Sequence, residues 1–212
     1  MTEQEPKAPV KATVYMRGEL LGQLLKTLLF ALILFLLARL VILPYEVEGR
    51  SMTPNLVNNE RVLVNRAVYS HVDPATWLDW IPGISVSESS WYPFHEPQRG
   101  DVIVLNPPTF SKTPYIKRTI GIAGDVIDVH DGSVFVNGVR LNEPYLHDIE
   151  TTCESEEYCH DFIVPEGMIY VMGDNREESF DSRSFGPVPL DNIIGKAWFS
   201  NWPLDRIGVI SH

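Results

Sequence analysis

Residues 20–43, LLGQLLKTLLFALILFLLARLVIL, form a 24-residue apolar run whose only charges are Lys26 and Arg39. A run of this length constrains everything that follows it. As a helix it is about 36 Å long, against a hydrocarbon core of about 30 Å. Twelve uncharged residues separate the two cations, so a span requires Lys26 and Arg39 to snorkel toward opposite interfaces. A helix lying in the interface is the alternative. Ahead of residue 27, Lys7, Lys11, Arg17 and Lys26 outweigh Glu3, Glu5 and Glu19, whereas residues 44–212 hold 12 basic and 25 acidic side chains. That asymmetry predicts a cytoplasmic N-terminus and an extracytoplasmic remainder. Residues 43–46, Leu-Pro-Tyr-Glu, offer no small-x-small cleavage site, so the run reads as a retained anchor.

With 212 residues and 44% apolar content, the chain can build one sizeable domain besides that anchor. The expected organisation is a cytoplasmic tail over 1–19, a single transmembrane anchor over 20–43, and one extracytoplasmic domain over 44–212. Net −13 over 44–212 repels phosphate backbones, which argues against nucleic acid as a partner. Strand-type runs fall at 45–48, 61–65, 101–106, 116–120, 126–130, 134–136, 168–172 and 193–200, with Asp131-Gly132 and Asn137-Gly138 as tight turns. No amphipathic helix longer than about ten residues follows the anchor, so the fold class is mainly β, an antiparallel domain behind one N-terminal helix. Residues 71–97 interrupt the pattern with Trp77, Trp80, Ile81, Trp91, Tyr92 and Phe94 among polar residues. This is a long surface loop whose aromatics either meet the lipid interface or fold back as a satellite core.

Ser51, in Gly49-Arg50-Ser51-Met52-Thr53-Pro54, lies eight positions beyond Leu43, within at most about 28 Å of the end of the run. Most turn serines only satisfy backbone groups. Here a strand-like Val47-Glu48 enters the turn, and Gly49 permits close approach by another chain, leaving the Ser51 amide available to an oxyanion. A serine nucleophile needs a base. The histidines, at 71, 95, 130, 147, 160 and 212, stand in loops, beside turns or at the terminus, and none has a triad context. Residues 44–212 hold three lysines: Lys112 follows a proline-rich loop, Lys196 is a weaker candidate, and Lys117 lies in the apolar run Tyr115-Ile116-Lys117-Arg118-Thr119-Ile120. Desolvation there favours the neutral amine, which can accept the serine proton. Without Ser51, the same residue would read as a snorkelling strand lysine.

A third cluster, residues 173–186 (GDNREESFDSRSFG), is too polar for a strand. It is either a solvated turn or a network of paired Asp and Arg in which Ser179 or Ser182 orients a neighbouring amine. Arg99-Gly100-Asp101 reads as the cap of the next strand. Cys153 and Cys159 are expected to pair in an exported domain, two unpaired surface thiols being the alternative. Their spacing does not suit a zinc knuckle even with His160 adjacent, and no metal is implied.

The three clusters together resemble the type I signal peptidases, membrane-anchored Ser/Lys proteases that remove signal peptides from exported preproteins. Ser51 to Pro54 matches the Ser-Met-x-Pro element, Lys117 to Asp125 the Lys-Arg-x-x-Gly-x-x-Gly-Asp element, and Gly173 to Gly186 the Gly-Asp-Asn-Arg…Ser-x-Asp-Ser-Arg…Gly element. Arg99 to Val102 matches a further strand. The resemblance implies the antiparallel β fold shared with self-cleaving repressors, with Ser51 as nucleophile, Lys117 as general base and Ser179 as the hydroxyl that positions the amine. Asp181 and Arg183 form the supporting ion pair, and Val47, Met52, Leu56, Tyr115 and Ile116 line the pocket for the residue before the cut. Gly49 stands where many relatives carry a serine that helps the Ser51 amide as an oxyanion donor, so the second donor stays open. The Cys153 and Cys159 spacing resembles a disulfide loop of some members. The implied substrates are signal peptides cut after small residues, with no cofactor. The implied setting is a bacterial-type plasma membrane, or a thylakoid or organellar inner membrane, near the translocon. A relative dedicated to one precursor and an inactive anchored binding module are the competing readings.

Overall fold

The computed structural model describes residues 11–69, 96–146, 149–153 and 156–210. The polypeptide divides between Val41 and Ile42 into two units. The first is a helix, α1 (Lys11–Val41), within which Leu20–Val41 is apolar enough to cross a membrane, at mean hydropathy 2.4. Its leucines are exposed on all sides, Leu24 at 66%, Leu28 at 68% and Leu40 at 70%. The apolar segment starts at Leu20, as in the expected anchor over 20–43, while the helix itself extends further toward the N-terminus and stops two residues earlier. It begins by Lys11, because no proline falls between Pro9 and Pro44 to stop it. It ends at Val41, because Leu43 precedes Pro44 and is driven toward extended backbone, where it pairs with Val64.

The second unit is built of antiparallel strands: β1 (Ile42–Glu46), β2 (Arg61–Asn65), β3 (Val102–Leu105), β4 (Tyr115–Gly121), β5 (Val126–His130), β6 (Ser133–Val136), β7 (Val139–Arg140), β8 (Phe162–Ile163), β9 (Met168–Met172), β10 (Val188–Pro189), β11 (Ile193–Trp202) and β12 (Gly208–Val209). One sheet runs β1-β2-β11-β3-β4-β9-β10, with β12 on β11, and a second runs β7-β6-β5-β8. Two four-residue α-helices, α2 (Glu156–Cys159) and α3 (Ser182–Phe185), and three 3-10 turns, at Ala67–Tyr69, Leu190–Asn192 and Leu204–Arg206, complete the described elements. The first strand begins at Ile42 rather than residue 45, captured by the β2 ladder. Four two-residue strands, β7, β8, β10 and β12, escaped the sequence reading. The turns at Asp131-Gly132 and Asn137-Gly138 are present, with positive φ at all four residues, the signature of two-residue hairpin turns.

Burial explains the pattern. β2 alternates, with Val62 and Val64 inward, as a half-exposed strand does. β3 is buried throughout: Val102 and Val104 join the core of Val47, Met52 and Leu56 on one face, while Ile103 and Leu105 join Tyr69, Ile169 and Val171 on the other. A third core, including Ile120, Ile127 and Met172, fills the space against the second sheet. Cys153 and Cys159 form a disulfide. Apart from residues 96 and 97, the aromatic stretch 71–97 lies outside the described residues, as do His71, His95, His147 and His212.

Candidate active site

Lys117 on β4 donates a 2.7 Å hydrogen bond from Nζ to Ser51 Oγ and a second, of 3.1 Å, to the Ile116 carbonyl. Sixty-six residues apart in sequence, the two side chains meet because the turn after β1 folds back over the sheet, drawing Met52 and Leu56 into the core beneath it. Lys117 is 4% exposed. Burial pulls its amine down to about 8, against the opposing pull of Asp181 and Asp174, with Arg183 adding to the lowering. From the ordinary lysine value this corresponds to about 3 kcal/mol of net preference for the neutral amine. An amine in this state can take a proton from the hydroxyl it touches.

The polar stretch after β9 grips the serine turn from below. Asn175 N–H donates to the Ser51 carbonyl at 2.9 Å, and Asn175 Nδ2 donates to the Arg50 carbonyl at 3.1 Å. Gly173 sits so close beneath that a Cβ there would stand 2.4 Å from Ser51 O and 2.3 Å from Ser179 Oγ. Asp181 caps α3 and takes both arms of the Arg183 guanidinium, at 2.9 and 2.8 Å, besides the Gly173 N–H at 3.0 Å. Burial opposes ionisation of Asp181, yet Arg183 and the Gly173 amide together hold its carboxyl below the usual range. Arg118, the neighbour of Lys117 and pointing to the opposite face, makes a buried bidentate pair with Asp174 at 2.8 Å in each arm. Asn55 Nδ2 donates to the same carboxylate at 2.9 Å, tying the serine turn to that pair. Arg176 is likewise buried against Glu143.

A cleft of about 630 Å³ opens over the dyad. Tyr45 to Ser51 form one wall, Thr113 to Lys117 the other, with Val62 and Val104 between them and Glu178 and Phe180 at the end beyond Ser51. Among the described residues the Ser51 amide has no hydrogen-bond acceptor, so it is free to donate into the cleft.

The family described as signal peptidase, peptidase S26, matches residues 21–202. The chain belongs to this family. It is 37% identical over 190 residues to signal peptidase I P of Bacillus subtilis subsp. natto, covering 86% of this chain and 90% of that protein. Signal peptidase IB of Staphylococcus aureus strain Mu50 is 30% identical over 204 residues, 90% of this chain and 94% of the relative. The crystal structure of a signal peptidase I from Enterococcus faecalis V583, 35% identical, aligns with a TM-score of 0.40 over 48% of this chain and 97% of that one. As a signal peptidase family member, the protein is a serine peptidase of the class that acts on exported preproteins.

Against this frame the expected residues fall into two groups. Ser51, Lys117, Gly49, Val47, Tyr115 and Ile116 all line the cleft of the signal peptidase domain. Met52 and Leu56 do not: at 1% and 2% exposure they belong to the core below, together with Val47. Gly49 lies at the cleft with φ +89°, but its N–H donates to Asn58 Oδ1 at 2.8 Å and is not free for an oxyanion. Ser179 Oγ is buried beside Gly173 and, among the described residues, has no partner in hydrogen-bonding geometry, Lys117 Nζ included. Lys112 is exposed, and Lys196 is engaged by Asp101, which also accepts from Tyr69. Arg99 pairs with Asp125. His130 and His160 both approach Asp128 on the second sheet. Sequence reading missed Asn175, Arg118 and Asn55 as braces of the site. Arg118 carried a signal: a cation beside a buried lysine faces the other side of its strand and requires an acid there.

Proposed function

We propose that this family member is an anchored signal peptidase working through a Ser51/Lys117 dyad, and the reading rests on the 2.7 Å bond between their side chains. Ser51 Oγ attacks the carbonyl of the bond to be cut as its proton passes to the neutral Lys117 amine. The Ser51 N–H holds the oxyanion, with no second protein donor from Gly49. Lys117 then gives the proton to the leaving amine of the mature chain, and afterwards takes one from the water that releases the acyl group. Ser179 is the positioning hydroxyl, taking up the Lys117 ammonium when substrate closes the cleft; catalytic hydrogen bonds of this kind often tighten only in the complex. Asp181 and Arg183 hold the polypeptide that carries it.

An extended signal peptide lies between residues 45–49 and 113–117, adding a strand to the exposed edge of β1. Val47, Tyr115 and Ile116, with Val62 and Val104, give shallow apolar pockets suited to small side chains before the cut. The apolar run spans the bilayer once with the N-terminus cytoplasmic, and residues from Ile42 onward work outside, close to where exported chains emerge from a translocon. The test is cleavage of a preprotein with an Ala-x-Ala site by the full-length, detergent-solubilised protein. Parent cleavage at that bond, with none from Ser51→Ala or Lys117→Met of parental stability, is the expected result. Near-parental turnover by Lys117→Met would remove the lysine from the mechanism.

A further inference from the structure

The turn that carries Ser51 is held a second time, by residues that follow β11. Residues 203–210 fold back along that strand: Gly208 pairs with Ser200 and Val209 with Phe199, and Ile210 N–H donates to the Trp198 carbonyl at 3.0 Å. Ile210 joins the core of Met52 and Leu56 beneath the turn. This course sets Arg206 against residues 54–60. Its Nη2 donates to the Pro54 carbonyl at 2.9 Å and to the Asn55 carbonyl at 2.8 Å, and its Nε donates to Glu60 Oε2 at 3.0 Å.

Glu60 stands where the turn closes, its carbonyl accepting from the Val47 N–H at 2.7 Å. Its side chain is buried, at 1% exposure, and both oxygens are used. Oε1 accepts from Ser200 Oγ at 2.6 Å, and Oε2 accepts from the Val57 N–H at 2.9 Å besides Arg206. A buried acid persists when it is paired and fully hydrogen-bonded, and Arg206 is its ion-pair partner among the described residues. Among the same residues no backbone N–H takes the Pro54 or Asn55 carbonyl, so the guanidinium fork is what fixes them. Asn55 belongs to both holds, since its side chain donates to Asp174 while its carbonyl accepts from Arg206. A surface cavity of about 310 Å³ borders Asn55, Leu56, Glu60 and Arg206, which leaves the turn room to shift once the fork is gone.

We propose that Glu60 and Arg206 are positioning residues for Ser51. Glu60 orients the guanidinium, the guanidinium fixes residues 54 and 55, and together with the Asn175 hold on the Ser51 carbonyl this sets the distance from Ser51 Oγ to Lys117. The role presupposes the Ser51/Lys117 dyad above. Neither Glu60 nor Arg206 lines the cleft, so the clamp acts on the proton transfer and leaves substrate binding alone. Lysine cannot reproduce a fork of three bonds, because its ammonium is a point charge on a flexible stem. Arg206→Lys therefore keeps a cation beside Glu60 and releases the carbonyls.

The two native cysteines are joined, so Ser51→Cys supplies the one thiol open to iodoacetamide in the full-length, detergent-solubilised protein. Beside the Lys117 amine this thiol should titrate below the ordinary cysteine value of about 8.5, and its alkylation rate against pH reads the contact without any substrate. Adding Arg206→Lys is expected to move the midpoint of that profile up by about one pH unit, or about tenfold in thiolate on the acid side. Ser200→Ala, which frees one Glu60 oxygen, should move it the same way by less. Gly195→Ala, whose Cβ would stand 2.5 Å from Asn65 O, should lower stability and leave the midpoint in place. With Ser51 restored, Arg206→Lys should lower kcat on an Ala-x-Ala preprotein by up to about 100-fold at parental KM. Midpoints in Arg206→Lys and Ser200→Ala equal to that of Ser51→Cys alone refute the clamp while the dyad stands. An equal shift in Gly195→Ala, or a raised KM at parental kcat, also refutes it. An ordinary cysteine midpoint in Ser51→Cys itself refutes the dyad contact, and the clamp with it. A parent that cleaves no preprotein refutes the peptidase reading, and the alkylation profiles still decide the clamp.

Discussion

Gly173→Ala tests whether the serine turn is held from below by close packing. The added Cβ would lie 2.4 Å from the Ser51 carbonyl oxygen and 2.3 Å from Ser179 Oγ, about 1 Å inside ordinary contact. The glycine has no positive φ, so alanine meets no backbone strain there and the effect is purely steric. Ser51 O is fixed by the Asn175 N–H, so relief requires moving the serine turn or the segment carrying Ser179, and either shift is of the order of 1 Å. A displacement of that size at reacting atoms costs about 100-fold in rate, beside a packing cost of about 1–3 kcal/mol. The assay is kcat/KM on a preprotein, normalised to folded protein, with thermal unfolding run in parallel. Gly195→Ala serves as the comparison, because its Cβ would stand 2.5 Å from Asn65 O, away from the dyad; it should lose stability and keep its activity per folded molecule. Gly173→Ala turnover within about threefold of the parent would refute the claim that this packing sets the position of Ser51.

Further outcomes follow from the same geometry. Asp174→Ala leaves the buried Arg118 without its carboxylate and is expected to cost about 3–5 kcal/mol in denaturant unfolding; a loss under about 1 kcal/mol would mean the pair contributes no more than a surface one. Cys153→Ser opens a small ring and should cost about 2 kcal/mol with cleavage retained, so loss of activity at full stability would give the loop a role in substrate handling. Ser179→Ala is expected to reduce kcat with little change in KM, whereas a fall in unfolding stability alone would make Ser179 a packing residue.

Much of the molecule was legible in advance where a local pattern sufficed. The strands at Arg61–Asn65, Val126–His130 and Met168–Met172 fall where β-branched and apolar alternation marks them, and the hairpin turns are written in Asp-Gly and Asn-Gly. The two-residue strands β7, β8, β10 and β12 are too short to show a period, and form only because a neighbouring edge offers hydrogen bonds. The three site clusters stood out because a serine, a lysine in an apolar run and a dense Asp/Arg stretch are each unusual locally. Asp181 takes Arg183 two residues on, the pair the resemblance implied, but the partner of Asp174 was not readable: it takes Arg118 from another strand. That choice is made by tertiary packing. Met52 and Leu56 show the same limit, since apolar residues just after Ser51 suit a pocket wall or a core equally well, and only the fold-back of the turn assigns them to the core.

The central claim is that Lys117 acts as a neutral base on Ser51, and the pH dependence of kcat/KM for preprotein cleavage tests it most directly. Burial lowers the Lys117 amine to about 8, and the protonated form cannot accept the serine proton. Activity should therefore rise about tenfold per pH unit below 8 and level off above it. A plateau extending unchanged down to pH 6, or a rise continuing to the ordinary lysine range near about 10.4, would contradict the assignment.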